Sequence, residues 1–163
     1  MRIRKAEQKD LVALLDIYNY EVINGVSTLD LNPRTLAERQ IWFDQHNVEN
    51  HPLYIAEIDG CVAGYSSLSS YREKEAYKST VELSIYISPD YRKRGIATAL
   101  MGFILEEAKA DARTHSVVSV ITAGNEASCN LHKKFGFTFC GTVPQVGMKF
   151  GKFQDIVTYS LIV

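Results

Sequence analysis

Hydrophobic residues change their spacing several times along this chain, and each change marks an element. Leu11, Leu14, Leu15, Tyr18 and Val22 recur at three- and four-residue intervals, one face of a helix, behind Asp10 as a cap and ahead of Asn24-Gly25 as a stop. A short strand over 1–5 precedes it. Asn32-Pro33 offers a cap and a first-turn proline, and Thr35 with Glu38 forms a capping-box pattern ahead of Leu36, Trp42 and Phe43, so a second helix follows. Residues 53–58 and 61–68 read as strands. Asp59-Gly60 between them is the strongest two-residue hairpin signal in the chain and pairs them antiparallel.

Residues 71–79 are polar, charged and aromatic, a loop composition, and 81–87 then alternates with strand period. Val81, Leu83, Ile85 and Ile87 share one face, while Glu82, Ser84 and Tyr86 share the other, so one side suits a core and the other a cavity. Ser88-Pro89-Asp90 stops the strand. From Ile96 onward Leu100, Phe103, Ile104 and Ala108 make a face that can pack on a sheet, with Glu106, Glu107 and Lys109 turned outward. Residues 117–122 form a buried-type strand, 125–134 a short helix closed by Gly136, and 137–143 and 155–162 two more strands. This order predicts an α/β fold of the α+β type: a mixed, mostly antiparallel sheet flanked by helices on both faces, with one parallel crossover between 81–87 and 117–122. Repeats and linkers are absent, so 1–163 reads as a single domain.

Composition narrows the partners. At 163 residues, 46% hydrophobic and with a formal charge of -1, the chain can bury one sizeable core and has no bulk attraction for nucleic acid or an anionic membrane. Cys61, Cys129 and Cys140 are odd in number and lack the close spacing of a zinc or redox motif, which predicts free thiols and no metal. No apolar run approaches the roughly 20 residues that cross a bilayer. A soluble, cytoplasmic protein is expected.

One local cluster stands apart from that balance. Arg92-Lys93-Arg94-Gly95-Ile96-Ala97 lies between the strand over 81–87 and the helix from Ile96. The first N–H groups of a helix lack intrahelical partners and carry its positive dipole end, so a glycine-relieved turn there cradles phosphate oxygens. The cluster predicts a phosphate-bearing ligand.

These residues resemble those of the GNAT acyltransferases, and within them the phosphinothricin or methionine-sulfoximine N-acetyltransferase group. The signature Gln/Arg-x-x-Gly-x-Gly/Ala is matched by Arg92, Gly95 and Ala97, after a strand Val-Glu-x-Ser-x-Tyr matched by Val81, Glu82, Ser84 and Tyr86. Ile17-Tyr18-Asn19, Asn125 and Ser128 before His132, Phe135-Gly136-Phe137, and Val146-Gly147 through Lys149, Gly151 and Asp155 extend the similarity over nearly the whole chain. The resemblance implies acetyl-CoA as co-substrate, its pyrophosphate on the main chain of Lys93, Arg94, Gly95, Ile96, Ala97 and Thr98 beside Arg92. Its pantetheine arm would lie along Ile85, Tyr86 and Ile87, with Asn125 and Ser128 nearby. A homodimer is also implied, with 147–155 approaching the active site across the interface.

Amine acetylation needs an uncharged nitrogen, so a base must take the ammonium proton before or during attack on the thioester. Glu82 matches the family's general base. His132 stands where many relatives carry the tyrosine that protonates the departing thiolate. Substrate contacts of the group map to Arg72, Glu73, Lys74 and Glu82, and Arg72 offers a planar fork for a carboxylate or phosphinate. Phe153 and Leu83 depart from residues common in relatives, which leaves the amine open. Competing readings are the same chemistry on a polyamine, an antibiotic or a protein N-terminus, and a non-catalytic acyl-CoA sensor.

Overall fold

The computed structural model describes residues 1–163. Its elements are β1 (Arg2–Lys5), α1 (Leu11–Asn24), α2 (Leu36–Asp44), β2 (Leu53–Ile58), β3 (Cys61–Ser70), β4 (Thr80–Ile87), α3 (Ile96–Ala110), β5 (Ser116–Thr122), α4 (Glu126–Lys134), β6 (Thr138–Lys149) and β7 (Lys152–Ile162). The strands form one seven-stranded sheet in the order β1-β2-β3-β4-β5-β7-β6. Every neighbouring pair is antiparallel except β4 with β5. This is the expected mixed sheet with its single parallel crossover.

Local chemistry explains most boundaries. Thr35 and Glu38 form the expected box at the start of α2: Thr35 Oγ1 accepts from Glu38 N at 3.2 Å and Glu38 Oε2 accepts from Thr35 N at 2.7 Å. Pro33 consequently lies before the cap rather than in the first turn. Asp10 does not cap α1 with its side chain. Its carboxylate turns back to accept from Glu7 N at 2.7 Å and from both Arg4 Nη atoms at 2.7 and 2.9 Å, closing a 3₁₀ turn over Gln8–Asp10. Asp59 and Gly60 take φ of 50° and 79°, the paired positive values that a tight hairpin between β2 and β3 requires.

Helices cover both sheet faces. On one, Leu68, Val81, Val117 and Ile121 pack against Met101, Ile104 and Leu105 of α3; on the other, Leu53, Ile55 and Tyr65 pack against Leu14 and Ile17 of α1. Full burial of such side chains contributes roughly 1.5–3 kcal/mol each. Phe103 departs from the expected core face: it is 39% exposed and packs edge-on against Tyr54.

The terminal hairpin is longer than its apolar pattern implies. Instead of ending at 143 and restarting at 155, β6 and β7 run on to meet at Phe150-Gly151, whose φ values of 52° and 70° again fit a two-residue turn. Pro144 and a register shift between Val143 and Gly147 interrupt the alternation, and Asp155 Oδ1 steadies that bulge by accepting from Gln145 N at 2.7 Å. Lys149 ties the hairpin to the body through a 2.9 Å bond from Nζ to Thr28 O.

Candidate active site

Three cross-strand pairs, Ser69–Glu82, Ser67–Ser84 and Tyr65–Tyr86, form the floor of a cavity of about 620 Å³. They share the polar face of β3 and β4 because strand side chains alternate. Tyr18 of α1 and Arg39 and Trp42 of α2 wall the cavity, and Val120 and Thr122 of β5 extend its floor. A volume of this size lies in the range of small-molecule sites, roughly 300–1,000 Å³.

Glu82 is half-buried in that floor, and its carboxylate makes no hydrogen bond or ion pair within the chain. Burial alone pushes its carboxyl above the ordinary carboxylate value, which holds its proton affinity closer to neutrality. Tyr86, four residues on, is also raised by burial.

Beyond Glu82 the sheet opens. Strands β4 and β5 pair only over Thr80–Glu82 and Ser116–Val118, although β5 pairs with β7 along its whole length. The β5-facing edge of residues 83–87 is therefore unpaired, a seam into which an extended ligand can insert and take main-chain hydrogen bonds.

The basic turn follows this seam. Lys93 and Gly95 adopt left-handed φ of 61° and 76°, and Gly95 is the cap residue of α3. The first internal bond of the helix runs from Ala99 N to Gly95 O, which leaves the N–H groups of 92–98 without partners in the chain. Unpaired donors in this left-handed turn make a concave anion site. A Cβ built on Gly95 meets nothing within 4 Å, so a side chain there would project into open space beside the turn. Arg92 does not point into the turn: its guanidinium pairs with Glu21 at the end of α1. Arg94 instead lies over the Tyr91 ring at 5.3 Å.

Residues 15–137 match the Acetyltransferase (GNAT) family. The chain belongs to this family. It is 38% identical to an L-methionine sulfoximine/L-methionine sulfone acetyltransferase of Pseudomonas paraeruginosa over 98% of this chain and 92% of that one. Its fold superposes on a GNAT superfamily phosphinothricin acetyltransferase from Sinorhizobium meliloti, solved in complex with AcCoA, with a TM-score of 0.95 and 31% identity, covering 99% of this chain and 88% of that one. A ribosomal-protein-alanine N-acetyltransferase from Brucella melitensis gives a TM-score of 0.96 and 37% identity over the whole of both chains. The protein is thus an N-acetyltransferase of the GNAT type.

Other expected residues of this GNAT enzyme sit apart from the cavity. His132 is 5% exposed on α4, under the opposite face of the sheet from Glu82. Its Nδ1 lies 2.7 Å from Ser128 O and its Nε2 2.8 Å from Ser119 Oγ. A carbonyl can only accept, so Nδ1 carries the proton and Nε2 accepts from Ser119. Burial lowers the pKa of the ring and keeps it neutral. Both nitrogens are engaged within the chain, which gives His132 a place in the packing of α4 against β5. Asn125 caps α4 by accepting from Ser128 N at 3.2 Å, the role its position suggests.

Arg72, Glu73 and Lys74 are exposed and outside the cavity lining; Arg72 rests over Tyr71 and Tyr77 at 5.0 and 5.6 Å. The cavity instead holds Asp30, Arg34, Glu38 and Arg39 from α2 and the segment before it, which sequence reasoning missed. The detectable signal was Arg39 on the same helical face as Trp42, three residues on. No group of three or more His, Cys, Asp or Glu side chains is placed to hold a metal ion.

Proposed function

We propose that this enzyme moves the acetyl group of acetyl-CoA to the α-amine of a small amino-acid analogue of the methionine sulfoximine or phosphinothricin type, with Glu82 as general base. The observation that carries this reading is an unpaired carboxylate of raised pKa beside the open seam between β4 and β5. Acetyl-CoA supplies the thioester-activated acetyl group. The unpartnered N–H groups of 93–98 suit its diphosphate, and the free edge of residues 85–87 suits its amide-bearing arm. Arg92, fixed by Glu21, contributes charge and holds the turn in place.

Glu82 accepts the ammonium proton, directly or through one water, so that the nitrogen can attack the thioester carbonyl as a free amine; as the C–N bond forms the C–S bond breaks, and CoA leaves as a thiolate that takes its proton from solvent. Walls from α1 and α2 bound a volume suited to a small acceptor rather than to a folded protein's N-terminus. Arg72, Glu73 and Lys74 begin two residues past the end of β3, whose Ser69 lines the floor, and act at the cavity rim. The exposed apolar residues Val143, Val146, Met148, Phe150 and Phe153 of the β6–β7 hairpin are the surface through which a homodimer forms.

A thiol-release screen with acetyl-CoA tests the reading against methionine sulfoximine, phosphinothricin, common amino acids, polyamines and an alanine-initiated peptide. Preference for the first two supports it. Preference for polyamines or the peptide, or no turnover with any amine, overturns it.

A further inference from the structure

Five charged side chains line the cavity: Asp30, Arg34, Glu38, Arg39 and Glu82. Three already answer one another. Asp30 Oδ2 accepts from Tyr18 Oη at 2.6 Å and from Arg34 Nε at 3.0 Å, while Glu38 holds Thr35 N and lies 3.8 Å from Arg34 Nη1. Two do not. Glu82 is an acid without a cation, and Arg39 is a cation without an acid.

Arg39 is 4% exposed, and its guanidinium carbon sits 3.4 Å from the Trp42 ring centroid, with the Tyr18 and Tyr65 rings at 4.9 and 5.3 Å. Aromatic contacts satisfy the faces of a guanidinium, not the N–H donors in its plane. Only one of those donors is used, from Nη2 to Tyr65 Oη at 2.8 Å, and Nε is buried with no partner. A buried cation with in-plane donors left over is costly by itself and matched by a planar or tetrahedral oxyanion.

We infer that Arg39 seats an oxyanion of the acetyl acceptor while Glu82 receives its amine. This rests on the acceptor reading above and deepens it: the cavity is built for a molecule carrying both charges, and α2 selects it. A polyamine has no oxyanion to offer Arg39, and an internal peptide amide gives it none next to the terminal amine. In phosphinothricin-like acceptors the oxyanion is either the α-carboxylate or the distal phosphinate. The register places Tyr65, which Arg39 touches, opposite Tyr86, four positions along β4 from Glu82.

Trp42 is the chain's single tryptophan and stacks on Arg39, so its emission reports on that site without turnover. The wild type and Arg39→Lys, which keeps the charge and loses the fork, are titrated with phosphinothricin, its carboxamide, and 2-aminobutyrate, which lacks the phosphinate. In the wild type, the analogue stripped of the seated oxyanion binds roughly tenfold or more weakly than phosphinothricin. Arg39→Lys weakens phosphinothricin by a similar factor and leaves that stripped analogue unchanged, and in turnover the effect appears in KM more than in kcat. Equal affinity of the wild type for all three compounds, no emission change with any of them, or an equal loss on all three in a variant of unchanged Tm overturns the inference. Absence of acetylation with a normal titration overturns the acceptor reading instead and leaves the oxyanion seat standing.

Discussion

Glu82 stands directly opposite Ser69 in the antiparallel ladder between β3 and β4. The Ser69 hydroxyl lies 2.8 Å from His46 Nε2, and His46 Nδ1 lies 2.7 Å from Trp42 O. Because the Trp42 carbonyl can only accept, Nδ1 holds the imidazole proton and Ser69 must donate to Nε2. The hydroxyl directly across the ladder from Glu82 therefore has its proton committed elsewhere, and the Glu82 carboxylate keeps no partner within the chain.

Replacing Glu82 by glutamine is expected to lower kcat/KM by about 10²-fold or more at neutral pH while CoA affinity stays unchanged. In the wild type, kcat/KM falls on acidification through a pKa above the ordinary carboxylate value. The same substitution has an opposite sign for stability. A carboxyl whose pKa is raised on folding contributes stability below its unfolded pKa, and that contribution is lost as pH rises through the folded value. Glu82→Gln thus melts at or above the wild-type Tm at pH 7, and the gap closes at acid pH. Calorimetric scans at both pH values, alongside kinetics, check the pair of signs.

His46 and His132 make the fold acid-sensitive. Burial drops His46 from its ordinary 6.5 to about 4, and it lowers His132 in the same direction. Between the unfolded and folded values the unfolded chain binds more protons, so stability present above pH 6.5 is lost as pH falls toward 4. His46 is expected to account for about 2 kcal/mol of that loss between pH 7 and pH 4.5. Urea unfolding at pH 7 and pH 4.5 measures it. His132→Phe should lower Tm while reducing kcat by less than about tenfold, because a structural histidine supplies no proton to the leaving group.

Gly95→Val acts on the backbone of the turn. A β-branched residue at φ 76° costs about 1–3 kcal/mol of stability and points its side chain into open space at the anion site. CoA affinity is expected to fall at least tenfold, roughly, with the far-UV spectrum retained. Isothermal titration of CoA against both proteins decides it.

On the β6–β7 hairpin, Met148 and Phe153 face each other in register and are 50% and 54% exposed. Introducing glutamate at both sets like charges into the proposed interface and is expected to give a folded monomer. Light scattering after gel filtration reads the mass directly.

Arg72→Ala removes a cation from the rim. KM for anionic acceptors is expected to rise by a few-fold, less than for Arg39→Lys, because an exposed charge is screened by solvent where a buried one is not. Steady-state kinetics on phosphinothricin with the two variants side by side rank them.

Elements with a local code were legible in the sequence. The Asp59-Gly60 turn, the Thr35–Glu38 box and the alternation through Glu82, Ser84 and Tyr86 all stand where the pattern put them, because each depends on residues within one turn or one strand. The far half of the terminal hairpin was hidden by Pro144 and its bulge. The cavity walls were hidden for a different reason. Arg39 reads as a surface charge on a helix, and only the packing of α2 over β3 buries it against Trp42 and Tyr65. His132 shows the converse: its place near a recognisable motif suggested chemistry, while its contact with the Ser119 hydroxyl, thirteen residues earlier on β5, is invisible to any local pattern.

The parting of β4 from β5 after only three paired residues has an evolutionary corollary. If the donor is gripped there and at the head of α3 by peptide groups common to every residue, drift in neighbouring side chains scarcely disturbs that grip. On the acceptor reading proposed above, acceptor choice is written in a separate alphabet, the side chains that α1 and α2 lower over the floor. A lineage built on this scaffold could then change what it acetylates by rewriting those two helices while its acetyl supply stays intact.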